Sequence, residues 1–240
     1  PAMAMPPDHK LPHKDVYTHR LTVLKQACDL EPGDPDLVLR WAALLHDIGK
    51  VPTRAPKPGG GVTFYQHEIV GARMVRKRLR ALKYSRQMIN DISQLVYLHL
   101  RIHGYGDGEW TDSAVRRYVT DAGPLLDRLN LLVRADCTTA REWKRKQQQA
   151  LVDNLEARIA ELREKEDLEA IRPDLDGNEI MQILGLNPGP EVGKAWAYLK
   201  NLRIEQGPME HDEAVAALQN WWAGHAGSTE RAESVERTGS

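Results

Sequence analysis

Apolar positions recur along most of this chain at helical, not strand, spacing. From Asp15 onward Val16, His19, Val23 and Ala27 fall at i, i+3 and i+4 intervals, the signature of one face of a helix. The stretch Glu31-Pro-Gly-Asp-Pro breaks that pattern, and Asp36 stands as an N-cap for a second helix through Leu44, Leu45 and Ile48, closed by Gly49. Pro52, Pro56, Pro58 and Gly59–Gly61 predict a loop. Further helices are expected over Gln66–Tyr84, Ser85–Leu100, Thr111–Asp121 and Pro124–Cys137, with Gly104, Gly106 and Gly108 marking a second loop. Residues 140–170 form a long, charged stretch without Gly or Pro, and shorter helices follow at about 176–184, 190–206 and 211–223. Strand signals are almost missing, so the expected class is all-α.

The same pattern divides the chain. Residues 1–13, with Pro1, Pro6, Pro7 and Pro12, read as a lead-in. Residues 14–139 hold most of the histidines and make up one helical domain; 140–223 make up a second, smaller one. Residues 224–240 contain almost nothing apolar and are expected to be disordered.

Composition narrows the function classes. The 33 basic and 34 acidic residues of the 240 leave a net charge of −1. The chain as a whole is therefore no basic nucleic-acid coat, and an anionic partner must meet a local patch. Two cysteines, Cys28 and Cys137, make neither a disulfide framework nor a thiolate zinc site. The most apolar run, Leu37–Leu45, is interrupted by Arg40 and stops at His46, far short of the ~18 residues a membrane span needs. No signal pattern opens the sequence. The expectation is a cytoplasmic protein without a membrane partner. A start at Pro1 fits either a trimmed initiator Met or the edge of a longer chain.

The candidate chemistry lies in the front part, at His19, His46, Asp47, His67, His99, His103 and Asp136. Imidazole with carboxylate suits a hydrolytic divalent metal: Mn, Fe, Co, Ni, Zn or Mg. His46 and Asp47 end an apolar helix, about 100° apart around its axis. Burying an unpaired Asp there is costly, so a partner is required. A bare His-Asp pair is more often a cap or an ion pair than a ligand set. His19, with His46-Asp47 and then Asp136 after Leu131-Leu-Val-Arg-Ala135, gives the ordered pattern H…HD…D, which resembles the HD-domain superfamily of metal-dependent phosphohydrolases.

That resemblance implies His19, His46, Asp47 and Asp136 as ligands of one ion. His67 and His99 match two further histidines that hold a second ion in some members, which would make Asp47 a bridge between the two. His103, one turn beyond His99, would be a ligand or a phosphate donor. Lys50 could meet a substrate phosphate, or could simply favour the helix C-terminus. Cys137 reads as a small core residue. Two ions would assist water attack on a phosphorus centre.

Between Arg73 and Arg86 stand seven basic residues and no acid. Arg73, Arg76, Lys77, Arg78, Arg80 and Lys83 leave a positive outer face suited to a phosphate backbone. Leu184–Gly193 is Gly/Pro-rich and leads into a helix; it reads as an ordinary tight turn, with phosphate binding at the helix start as the other possibility. The segment Asp176–Lys194 is similar to the C-terminal region of bacterial CCA-adding tRNA nucleotidyltransferases. His13–His19, Leu95–Gly108 and Trp110–Pro124 resemble the actinobacterial branch of that family. The likeness extends from about residue 13 to 222 and implies a helical RNA-binding domain after the metal domain, with tRNA or another RNA as partner.

Members of that family carry a polymerase head before this part. No strand with paired carboxylates and no Gly-Ser motif occurs in residues 1–18, so nucleotide addition is not expected of this chain alone. Three readings follow. In the first, this is the HD half of such an enzyme, with a phosphohydrolase site for phosphomonoesters or 2′,3′-cyclic phosphates. The second is a free-standing HD nucleotide phosphohydrolase acting on a small phosphate compound. The third is a non-catalytic RNA-binding remnant.

Overall fold

A computed structural model describes residues 16–102, 110–168 and 171–237. The lead-in over 1–13, and His103 with the loop of Gly104, Gly106 and Gly108, lie outside the described residues. The architecture is all-α, with helices α1 (Val16–Leu30), α2 (Leu37–Leu45), α3 (Lys50–Thr53), α4 (His67–Ala81), α5 (Arg86–Leu98), α6 (Asp112–Ala122), α7 (Leu126–Ala135), α8 (Glu142–Lys165), α9 (Gly177–Leu184), α10 (Pro190–Gln206) and α11 (His211–Arg237). Two short strands, β1 (Ala55–Pro56) and β2 (Val62–Thr63), pair antiparallel where the sequence suggests only a loop. Gly59, Gly60 and Gly61 close that hairpin at φ 85°, 99° and 86°, a region that glycine enters without steric cost.

The chain divides into two compact units. The first holds described residues up to Trp110 together with 121–159; the second holds 111–120 with residues from 160 onward. This differs from a boundary near 140, for two reasons. The first part of helix α8, which starts at Glu142, belongs to the first unit. Segment 111–120 is tied to the second unit by buried Arg116, whose Nε donates to Glu166 at 2.8 Å and whose Nη1 donates to the Ile204 carbonyl at 3.4 Å.

In the first unit α4 packs on α5, and α2 packs on α1, α5 and α7. Leu39, Ala42, Val75, Ile92, Leu95, Leu129 and Leu132 are fully covered. Asp36 caps α2 by accepting from Val38 N at 2.9 Å and Leu39 N at 3.1 Å. The helix stops at Leu45, before the expected Ile48, because the chain tightens into turns: Ile48 N donates to Leu45 O, and Lys50 N to Asp47 O, each at 3.0 Å. Gly49 is required there for space rather than for backbone freedom. Its φ is −73°, but a Cβ would lie 2.0 Å from His67 O and 2.7 Å from Gly71 N. The backbone of α4 is seated directly on Gly49.

The second unit has its own core of Leu175, Ile180, Ala195, Leu199, Ala214 and Leu218. A reciprocal capping box between Asp176 and Glu179 starts α9. Helix α11 continues to Arg237 instead of ending near 223. The stretch 224–237 lacks proline and includes the good helix formers Ala226, Glu230, Arg231, Ala232 and Glu233.

Candidate metal centre

Helix ends supply the centre. His46 follows the last residue of α2, His67 is the first residue of α4, and His99 follows the last of α5. At each of the three, ring Nδ1 meets the carbonyl three residues back: Ala43 at 2.8 Å, Phe64 at 2.9 Å and Val96 at 2.7 Å. A carbonyl only accepts, so each Nδ1 carries a hydrogen and each Nε2 is aimed inward. His19 reaches the same point from α1, and Asp136 from the C-terminus of α7.

Asp47 lies among these rings with 1 % of its surface exposed. Its two oxygens face two different sets. Oδ2 lies 3.4 Å from His19 Nε2, 3.3 Å from His46 Nε2 and 2.7 Å from Lys50 Nζ. Oδ1 lies 3.3 Å from His67 Nε2 and 3.8 Å from His99 Nε2. Asp136 Oδ1 joins the first set at 3.0 Å from His19 Nε2 and 3.4 Å from His46 Nε2. The structure therefore brings together the six residues read as ligands from the sequence, as two groups that share Asp47.

The charges respond to this crowding. Burial disfavours a charged ring at His46, yet Asp47 and Asp136 outweigh it and push its pKa up to about 10. At His19 burial is likewise overcome, by hydrogen bonds to Asp136 and Asp47 that raise the pKa. Burial and then the charge on His46 pull His99 down to about 3. Burial opposes ionisation at Asp47 and Asp136, but the facing imidazoles hold both carboxyls well below their usual range.

The residues fit a divalent cation on two observations. Nε2 of His67 and Nε2 of His99 are buried with no hydrogen-bond partner, which is costly unless a cation accepts their lone pairs. The groups His19-His46-Asp47 and Asp47-His67-His99 each present nitrogen and oxygen donors within 4.8 Å of one another. Anchoring of ligand histidines through the remote nitrogen is the usual supporting arrangement at a metal. A bound divalent ion would supply a polarised water and a Lewis acid for phosphorus chemistry.

The centre opens into a cavity of about 410 Å³, within the size range of small-ligand sites. Lys50 and Phe64 line one side of it, with the Lys50 ammonium 5.8 Å from the ring centroid. Thr138, Lys144 and Gln148 also line it. Sequence reasoning passed over these three, because they carry no motif and two of them lie beyond the expected boundary. Cys137 is buried, and its Sγ donates to Gln148 Oε1 at 3.0 Å.

Arg73, Arg76, Lys77, Arg78, Arg80 and Lys83 are all exposed on and just after α4. None of the six has an ion-pair partner among the described residues, whereas Lys25, Arg40, Arg128, Arg134 and Lys194 elsewhere do. The segment Leu184–Gly193 spans the end of α9, a turn over 185–189 and the start of α10, with Gly185 in the left-handed region at φ 65°.

A family model described as "HD domain" matches residues 16–141. The chain is 35 % identical over 212 residues to an A-adding tRNA nucleotidyltransferase of Deinococcus radiodurans, covering 87 % of this chain and 47 % of that protein. It is 33 % identical over 214 residues to a CC-adding tRNA nucleotidyltransferase of Thermus thermophilus, covering 88 % and 46 % respectively. The chain thus spans about half the length of these curated relatives.

Proposed function

Because this chain belongs to the HD-domain family, we propose that it is a metal-dependent phosphohydrolase that acts on phosphomonoesters or 2′,3′-cyclic phosphates in a tRNA-processing setting. The observation that carries the reading is the partition of the Asp47 carboxylate, with Oδ2 toward His19 and His46 and Oδ1 toward His67 and His99. One carboxylate facing two imidazole sets suits two cations bridged by Asp47, with His19, His46 and Asp136 on one and His67 and His99 on the other. Lys50, on the cavity wall beside Asp47, would neutralise the phosphate of a bound substrate.

RNA is the proposed partner. The support is the unpaired cationic row on α4 and the similarity to enzymes named as tRNA nucleotidyltransferases. Counterions released as six cations neutralise duplex phosphates would give a log K against log salt slope of about −5, and single-stranded ones about −4.

The test is metal analysis of purified protein combined with hydrolysis of p-nitrophenyl phosphate and nucleoside 2′,3′-cyclic phosphates. Metal-dependent turnover that disappears in His46→Ala is expected. Absence of both metal binding and turnover, with RNA affinity retained, would replace this reading with that of an RNA-binding remnant. Nucleotide turnover with no RNA affinity would favour a small-molecule phosphohydrolase.

A further inference from the structure

Three of the four histidines at the centre are oriented by a backbone carbonyl three residues back in the chain. His19 is not. Its Nδ1 lies 3.0 Å from Thr138 Oγ1, a side chain 119 residues away in sequence. Its Nε2 lies 3.0 Å from Asp136 Oδ1. Both nitrogens of one ring are thus held by residues 136 and 138. The exit of α7 makes this possible. Asp136 N donates to Leu132 O at 2.9 Å and Cys137 N to Arg134 O at 3.3 Å, which ends the helix. In the short segment that follows, side chains two apart converge on His19, while Cys137 between them points away to Gln148.

From this geometry we propose that Thr138 is a positioning residue of the metal centre, acting through His19. A backbone carbonyl can only accept, so it fixes the tautomer of His46, His67 and His99 on its own. A hydroxyl can donate or accept. When it accepts from Nδ1–H, it leaves the Nε2 lone pair of His19 for a cation; when it donates to Nδ1, Nε2 holds the hydrogen and cannot ligate. Thr138 therefore sets the ring plane of His19 and permits the ligating tautomer without enforcing it. An isosteric residue with no hydroxyl leaves Nδ1 unsatisfied and the ring free to turn. Loss of such a supporting hydrogen bond at a metal-bound histidine weakens binding by roughly 10–100-fold.

The inference rests on the metal-binding part of the proposed function and not on its hydrolytic part. It is tested with Mn²⁺ alone, by isothermal titration of wild type, Thr138→Val, Thr138→Ala and Thr138→Ser, with thermal melting to establish the fold. Nitrogen NMR of the imidazoles reports the His19 tautomer in each variant. Valine and alanine should weaken the tightest Mn²⁺ site by roughly 10–100-fold and shift the His19 tautomer. Serine should keep both near wild type. If Thr138→Val does not fold, Thr138→Ala carries the comparison, since it removes the hydroxyl without altering shape toward a branched apolar group. Wild-type affinity in the valine and alanine variants overturns the role of the hydroxyl. Equal loss in serine overturns it as well, because the methyl would then be what matters. A wild-type protein that binds no Mn²⁺ removes the premise, and so overturns both the inference and the metal reading. Mn²⁺ binding without any phosphoester turnover sinks only the hydrolytic reading and leaves the positioning role supported by the tautomer shift.

Discussion

Substituting Gly49 by Ala should damage this protein far more than a single methyl ordinarily does. The new Cβ would stand 2.0 Å from His67 O, 2.9 Å from His67 C and 2.7 Å from Gly71 N. All three are backbone atoms of α4, so no side-chain rotation relieves the contact. Ordinary Cβ contacts begin near 3.4 Å, and none lie below 3.0 Å; the start of α4 must therefore retreat from the α2–α3 turn by an ångström or more. Overpacking a close-fitting core costs about 1–3 kcal/mol, and a rigid backbone obstacle puts this site at the top of that range. For a chain of this size each kcal/mol lowers Tm by about 2–4 °C, so a fall of about 6–12 °C is expected.

The displaced residue is His67, so the variant should also lose affinity at the Asp47-His67-His99 group while keeping it at His19-His46-Asp47. Gly71, on the facing side of the same contact, provides the control. A Cβ there meets Gly49 N and Val96 Cγ1 at 3.4 Å, an ordinary contact, and alanine is the better helix former by roughly 0.5–1 kcal/mol. Gly71→Ala should therefore melt at or slightly above wild type. Calorimetric melts with EDTA, followed by Mn²⁺ titration, measure both effects. Gly49→Ala melting with wild type, or Gly71→Ala proving the more harmful, would refute the argument from close approach.

Other outcomes follow from the same geometry. The pKa of His46 is pushed up to about 10, above its ordinary value of about 6.5, so the stability it contributes is complete below that value and is lost as pH rises toward 10. Stability from His99, pulled down to about 3, is present above about 6.5 and is lost as pH falls toward 3. Melts in EDTA should accordingly weaken on both sides of neutrality, and a flat profile above pH 7 would contradict the His46 assignment. Mn²⁺ must displace the proton on His46, so binding near pH 7 should release about one proton and tighten as pH rises, as titrations in buffers of different ionisation enthalpy would reveal. Asp47→Asn should lose both ions, whereas His67→Ala should reduce the stoichiometry from two to one; equal behaviour of the two variants would remove Asp47 as a bridge. Replacing Arg73, Arg76, Lys77 and Arg80 by Ala should flatten the salt dependence of RNA binding by about three to four units of slope, and an unchanged slope would place the RNA elsewhere.

The candidate ligands were legible in the sequence through the ordered pattern H…HD…D and its resemblance to the HD-domain superfamily, and their local setting is simple. His46, His67 and His99 each stand at a helix end, where the carbonyl three residues back holds Nδ1. The apolar periodicity that defines those helices also sets where the ligands fall. The all-α class and the exposed cationic row of α4 came from the same source: an apolar stripe of Ala72, Val75 and Leu79 leaves Arg73, Arg76, Lys77 and Arg80 outward.

What required the tertiary structure was everything set by contacts distant in the chain. The need for glycine at 49 comes from the approach of α4, not from its own backbone angles. Segment 111–120 joins the second unit through Arg116, which reaches residues 50 and 88 positions away. The split of the Asp47 oxygens between two imidazole sets, and the hold of Thr138 on His19, depend on five helices meeting at one point. Periodicity determines which face of a helix is covered, but only packing decides what covers it.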